Sequence, residues 1–429
     1  MTAAARPVLL VAYQCGPGLG SVSQIGWQWF TGMAARRPTT LLTHVRNRAS
    51  IEAATLTAAL PAGSRVIYID TEWFAGPLYR LAQQLFPRSE HAVFMLSQID
   101  WFLFDALALR GLRRELAAGA GWCLAHLITP VTISAPTRLH RLGLPVVRGP
   151  LNCGLTQPPG FESLLQDDAL GLARLRIFPR LLELLMGSLR RSSAVLVATA
   201  ATRAALPAGL RTQPRCINML ENAVDPACFA DAPAAAVSQP AKDQAAPLRV
   251  CFVGRLVAVK ALPLLLRAMA RLSAAGTPVL LEVVGAGPMR AAWGAEAEAL
   301  GLAAQVQWRG ALPAAEVAQA MRRCDVFCLP SVRESGGAVL LEAMACGRPV
   351  IGMNFGGPAE IVDAEVGWRV EVGSVEQAVA GLSAALAEAH ARPDLAAARG
   401  QRARQRILAQ HTWAARLDAA EQIYRELVA

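Results

Sequence analysis

The stretch Ser331–Ile351, SVRESGGAVLLEAMACGRPVI, sets a glycine pair, Gly336-Gly337, ahead of the apolar helical run Ala338–Ala345, with a strand-forming Val350-Ile351 after it. A glycine-rich loop that feeds a helix presents free backbone N–H groups at the positive end of the helix dipole, which suits an anionic ligand such as a diphosphate. Glu334 lies on the loop and Glu342 two turns into the helix, where its carboxylate can reach a ribose diol beside that diphosphate. The same spacing also describes a surface loop, a capped helix and a solvated glutamate. Upstream, Phe252–Leu256 (FVGRL) ends a strand with Arg255, and Lys260 follows. Two cations at the carboxyl edge of one sheet can hold a leaving diphosphate without a metal. Lys260 is one of only two lysines in the chain, the other being Lys242.

Working outward, strands and helices alternate through the C-terminal half. Strands are expected at Val250–Val253, Leu280–Val284, Val306–Trp308, Val326–Leu329 and Val350–Met353, and helices at Leu264–Leu272, Met289–Leu300, Ala314–Met321 and Ala338–Ala345. Turns fall at Gly285–Pro288 and Gly356-Gly357. The N-terminal half opens in the same way, with strand Val8–Gln14, a Gly16–Gly20 turn and an amphipathic stretch from Ile25, followed by short β-type runs at Thr40–Thr43, Val66–Ile69, Leu124–Ile128, Val146-Val147 and Ala194–Ala198. Such alternation predicts an α/β protein with two tandem Rossmann-like domains facing across a cleft, where open parallel sheets bind ligands at the carboxyl ends of their strands. Residues 231–247, DAPAAAVSQPAKDQAAP, have no hydrophobic period and read as a linker. The domains are accordingly expected at 1–230 and 248–405, with Leu395–Ala429 helical throughout and residues 406–429 packing back toward the first domain.

The chain has 429 residues, 54% of them hydrophobic and 17% charged, which excludes a disordered protein. Its apolar runs are too short for a bilayer span, and the N-terminus does not read as a signal peptide, so a cytoplasmic protein is expected. The nine cysteines form no CxxC pair, which argues against a disulfide frame or structural zinc. The net charge of +10 is uneven: residues 1–225 hold 22 Lys/Arg against 13 Asp/Glu. A surface of that sign suits phosphates, acidic lipid headgroups or nucleic acid. Interspersed aromatics and arginines over Trp73–Arg114 suit either core packing or an interfacial membrane helix.

The segments GRLVAVKALPLLLRAM, VVGAGP, RESGGAVLLEAMACGRPVI and FGGPAEIV resemble, in order and spacing, the donor-binding domain of GT-B glycosyltransferases, and more narrowly the retaining family 4, or glycosyl transferases group 1. The N-terminal domain resembles them more weakly, through the GPGLGS turn, Gly26-Trp27, His126, Arg148-Gly149-Pro150 and Asn222–Asp225. The resemblance implies that Arg255 and Lys260 hold and neutralise the diphosphate, that Glu334 contacts the transferred sugar, and that the backbone of Gly336, Gly337 and Ala338 cradles sugar and phosphate. Glu342 would take the ribose hydroxyls, Gly20 would approach the diphosphate, and His126 would face the sugar from the acceptor side. Transfer would proceed by same-face attack, with the departing phosphate receiving the acceptor's proton, no metal and no cofactor beyond the nucleotide sugar.

The implied setting is cell-surface polysaccharide or glycolipid synthesis, from a UDP- or GDP-linked sugar to a glycan or lipid-linked acceptor, on the inner face of a membrane. The sequence departs from the family's usual Glu-Gly-Phe-Gly, reading Glu334-Ser335-Gly336-Gly337, and Lys260 is followed by Ala261 instead of glycine. A sugar phosphorylase or sugar-phosphate synthase on the same fold would use the same cations. A basic nucleic-acid-binding protein would use the positive N-terminal half, but no recognised binding motif accompanies that charge.

Overall fold

A computed structural model describes residues 6–85, 99–155, 158, 160–161, 177–213, 215–229 and 246–429. The chain divides into two compact units, one from Met1–Gly154, Asp168–Glu221 and Arg416–Ala429, the other from Leu155–Asp167 and Asn222–Ala415. Each is built on a wholly parallel sheet with helical crossovers, so the α/β, two-Rossmann-unit architecture of the GT-B class is what the chain adopts.

The first sheet has seven strands: β1 (Val8–Ala12), β2 (Thr39–His44), β3 (Arg65–Ile69), β4 (Ala125–Thr129), β5 (Val146–Leu151), β6 (Ala194–Val197) and β7 (Cys216–Asn218), in the order β3-β2-β1-β4-β5-β6-β7. Burial on both faces explains the unbroken apolar runs of β1 and β6, where every residue is buried. The helix Asp100–Ala117 packs Trp101, Phe104, Ala108 and Leu112 onto Leu9, Val11, Leu42, Ala125 and Leu127. The aromatic stretch that begins at Trp73 is thus two things. Trp101 and Phe104 are core, whereas Trp73, Tyr79, Leu81 and Leu85 on the helix Glu72–Leu85 are exposed. Residues 86–98 lie outside the described residues.

The second sheet has six strands: β8 (Leu248–Val253), β9 (Val279–Val284), β10 (Val306–Gly310), β11 (Val326–Leu329), β12 (Val350–Met353) and β13 (Gly367–Val370), in the order β10-β9-β8-β11-β12-β13. In both sheets the strand order reverses beside the first strand of the unit, at β1/β4 and at β8/β11, which is where such sheets open to ligands.

Three expectations need correcting. The units divide at Glu221/Asn222, ahead of the expected boundary at residue 230, and residues 231–245 of the expected linker lie outside the described residues. The C-terminal segment is two helices, Pro393–Gln410 and Trp413–Val428, so residues 406–410 belong to the first of them. The break has a cause: Val224 N donates to His411 O (2.8 Å), Trp413 N donates to Val224 O (3.1 Å), and the Thr412 hydroxyl accepts Ala415 N–H as a cap. Finally, β7 and β13 were not expected. The first residue of β13, Gly367, runs so close to β12 that a Cβ there would lie 1.8 Å from Val350 O.

Candidate functional site

In the second unit, the loops that leave β8 and β11 are stitched together at the strand-order reversal. Val332 N and the Ser331 hydroxyl both donate to Val259 O at 3.0 Å. Glycines let the neighbouring turns close on these loops. A Cβ at Gly285 would meet Gly254 O at 1.9 Å, one at Gly287 would meet Leu256 O at 2.4 Å, and one at Gly356 would meet Glu334 O at 2.2 Å.

Lys260 ends a short helical turn after β8, and its Nζ forms an ion pair with Glu334 Oε2, both side chains being mostly buried. The other oxygen of Glu334 accepts Gly337 N–H at 3.2 Å, the amide that opens the helix Ala338–Ala345. Glu334 is therefore held between an ammonium and a helix N-terminus. Gly337 itself is left-handed (φ 57), as is Ala261 after the lysine (φ 46). The glycine that the family resemblance implies after Lys260 thus has a physical reason, and alanine here takes up the same backbone conformation under strain. Arg255 is exposed at the end of β8.

Glu342 is partly buried, on the helix face that it shares with Ala338 and Val339, and desolvation alone pushes its carboxyl up to about 7. Such a group is poised to be protonated when alone and ionised when hydroxyls donate to it. Arg255, Lys260, Glu334, Gly336, Gly337, Ala338 and Glu342 all fall within this one unit, on consecutive loops and one helix. The same edge can therefore neutralise an anion through Arg255 and Lys260 and meet it with the free amides of the helix start.

Gly20 belongs to the first unit, where it opens the helix Ser21–Ala34 with φ 104, and nothing lies within 4 Å of a Cβ placed on it. That helix has no side-chain cap, so its first amides are open.

The structure contradicts the acceptor-side reading of His126. The residue is the second of β4, toward the start of the strand instead of at its carboxyl end, and is fully buried. Its Nε2–H donates to Gly149 O (2.6 Å), and its Nδ1 accepts the Tyr424 hydroxyl. Trp29 stands against its ring edge to face. Burial pushes its pKa down to about 4, so it is a neutral core histidine with both nitrogens occupied.

Sequence reading passed over a polar group at the carboxyl edge of the first sheet. Tyr13 Oη donates to Asp100 Oδ2 (2.6 Å), Arg46 Nε donates to Glu72 Oε1 (2.8 Å), and His44 bonds the Thr71 hydroxyl through Nε2 (2.7 Å). Tyr13 and Asp100 are 87 positions apart, so no local motif announces the pair.

Residues 238–406 match the family model of the glycosyl transferases group 1. The 2-deoxystreptamine glucosyltransferase of Streptomyces kanamyceticus is 34% identical over 179 residues, 41% of this chain and 46% of that protein. The D-inositol 3-phosphate glycosyltransferase of Segniliparus rotundus is 38% identical over 143 residues, 32% of each chain. The matched segment thus spans less than half the length of these relatives. Among solved structures, HepE of Anabaena in complex with UDP aligns over 98% of this chain and 99% of its own, with a TM-score of 0.61 at 16% identity. Residues 238–406, which contain Arg255, Lys260, Glu334 and Glu342, carry the glycosyl transferases group 1 pattern, and the chain as a whole has the two-sheet fold of the GT-B glycosyltransferases.

Proposed function

We propose that the protein is a retaining glycosyltransferase that moves a sugar from a nucleotide diphosphate donor to a glycan or lipid-linked acceptor. The observation that carries this reading is the Lys260–Glu334–Gly337 arrangement at the β8/β11 reversal. Arg255 and Lys260 neutralise the diphosphate as its bond to the anomeric carbon breaks, and the free amides at the start of Ala338–Ala345 share that charge. Glu334, fixed at both oxygens, orients the transferred sugar. The ionised Glu342 accepts from the ribose hydroxyls, and the amides after Gly20 are proposed as further donors to the diphosphate. The acceptor hydroxyl attacks on the face that the phosphate leaves, and its proton passes to the departing phosphate oxygen. Charge is balanced by protein cations, so the reaction needs no metal.

Support for the donor class comes from HepE, a fold neighbour solved with UDP and with UDP-glucose. The names of the relatives include 2-deoxystreptamine, D-inositol 3-phosphate and phosphatidylinositol monomannoside, which are respectively an aminocyclitol, a phosphorylated cyclitol and a glycolipid. A basic N-terminal half and exposed apolar side chains on the helices Glu72–Leu85 and Ile177–Met186 support work on the cytoplasmic face of an anionic membrane, in surface glycan or glycolipid synthesis.

Thermal melts with UDP, GDP, ADP and dTDP test the donor site, because a ligand that binds only the folded state raises its Tm. One nucleotide is expected to raise Tm, with the shift reduced in Arg255→Ala and Lys260→Ala and retained in Glu334→Ala, which loses transfer. No shift with any nucleotide, or full turnover in these variants, overturns the assignment.

A further inference from the structure

Asn152 follows β5 at the carboxyl edge of the first sheet and is 8% exposed. Among the described residues neither its Nδ2 nor its Oδ1 has a hydrogen-bond partner. Its backbone is pinned on both sides, so the idle amide does not come from a loose chain. Asn152 N donates to Val131 O at 2.6 Å, and the next residue, Cys153, bonds the Thr202 hydroxyl through both its N–H and its carbonyl at 2.9 Å. Buried amides are almost always paired, and one held in place without partners is disfavoured in the free protein.

A second observation stands on the other side of the β1/β4 reversal. Asp100 is 1% exposed; its Oδ2 takes the Tyr13 hydroxyl and faces Arg46 Nη2 at 3.6 Å and His44 Nε2 at 3.5 Å, while Oδ1 has no hydrogen-bond partner among the described residues. The facing groups do not supply that bond. His44 accepts Arg46 N–H at Nδ1, which leaves its Nε2–H for Thr71, and Arg46 donates to Glu72. The reversal itself is closed by the Thr129 hydroxyl, which accepts Gln14 N–H (3.0 Å) and donates to Gln14 O (2.9 Å).

These vacant positions specify a chemistry. The Asn152 amide needs a partner that both donates and accepts, and Asp100 Oδ1 needs a donor. A phosphate or carboxylate only accepts, so it would leave both Asn152 Oδ1 and Asp100 Oδ1 without a donor. A hydroxyl satisfies both. We propose that Asn152 binds a hydroxyl of an uncharged sugar or polyol acceptor. This rests on the glycosyltransferase reading and names the acceptor class for it.

Two measurements test it. Asn152→Leu keeps the side-chain shape and removes the unpaired amide, so the ligand-free variant should melt about 2 °C or more above wild type. A lower Tm would mean that the amide serves the fold, and would overturn the proposal. In the second, the nucleotide sugar whose nucleotide raises Tm is offered with methyl glucoside, methyl galactoside, methyl mannoside and myo-inositol, and with glucose 6-phosphate, mannose 6-phosphate and inositol 1-phosphate. Transfer should go to the neutral set, and Asn152→Ala should lower kcat/KM for that acceptor at least tenfold with the nucleotide-induced Tm shift unchanged. Preference for the phosphorylated set, or an unchanged kcat/KM in Asn152→Ala, would overturn it. Where no panel member accepts sugar, the melt of Asn152→Leu decides alone. Absence of any nucleotide shift in wild type counts against the donor reading instead.

Discussion

Glu342 shows how one partly buried carboxyl couples binding to pH. Its pKa in the free, folded chain is about 7, above the ordinary 4.5, so the folded state holds a proton that the unfolded state releases. Its stabilising contribution is complete below about 4.5 and is lost as pH rises through 7. Glu342→Gln should therefore raise Tm relative to wild type at pH 8.5 and leave it nearly unchanged at pH 5, a difference that paired melts would show. On the proposed role of Glu342, nucleotide binding has the opposite sign, because ribose hydroxyls would donate to the ionised form. Affinity should fall below pH 7 by up to about tenfold per unit, and the slope should vanish in Glu342→Gln. Glu334 gives a complementary prediction. Removing the carboxylate charge beside Lys260 in Glu334→Gln should tighten UDP binding about threefold to tenfold while transfer is lost, which calorimetry and an activity assay would separate. Both glutamates were legible in the sequence because loop, helix and charges lie within one short segment. Asp100 and Asn152 were not, because what marks them is an absent partner, and partners are assembled from distant positions.

At the scale of elements, the strands that could be read were those with short apolar or β-branched runs, whether every residue is buried, as in β1 and β6, or almost none is, as in β3 and β10. β13, with Gly367, Trp368 and Arg369, has no such run and exists because β12 pairs with it. The misplacement of His126 has a related origin: a strand's residues alternate between faces, but one sequence does not say where the strand stops or which neighbour covers each face. Here the cover is the last helix, Trp413–Val428, whose Tyr424 reaches 298 positions back to His126. Tyr424→Phe removes the only donor to Nδ1 among the described residues and should destabilise the first unit by about 1 to 3 kcal/mol in denaturant melts, with activity per folded molecule unchanged. His126 titrates near 4, below its ordinary 6.5, so the stability it contributes is present above 6.5 and lost as pH falls toward 4. Because the variant starts with less stability, it should reach its acid-unfolding midpoint at less acidic pH than wild type, and an acid titration of both proteins would show it.

For the whole molecule, charge and apolar exposure are distributed alike. Residues 1–225 hold a net charge of +9, and most of the exposed large apolar side chains lie there too. On the helix Glu72–Leu85, Trp73, Leu81 and Leu85 recur at multiples of four, so they share a face, and Arg80 lies beside them. On Ile177–Met186, Leu184 and Leu185 lie three and four positions after Leu181 and share its face. Among the described residues no helix is long and apolar enough to cross a membrane, so any membrane attachment through these helices is at the surface. A chain that attaches in this way needs both forces, since apolar burial holds it and anionic headgroups draw it in. Sedimentation with phosphatidylglycerol vesicles at low salt should retain the protein, with retention falling as salt rises and lost in the Trp73→Ala/Leu81→Ala double variant. Equal retention on neutral phosphatidylcholine vesicles would show that the charge plays no part. No retention on either would leave those exposed side chains to another partner and remove the membrane from the proposed reaction.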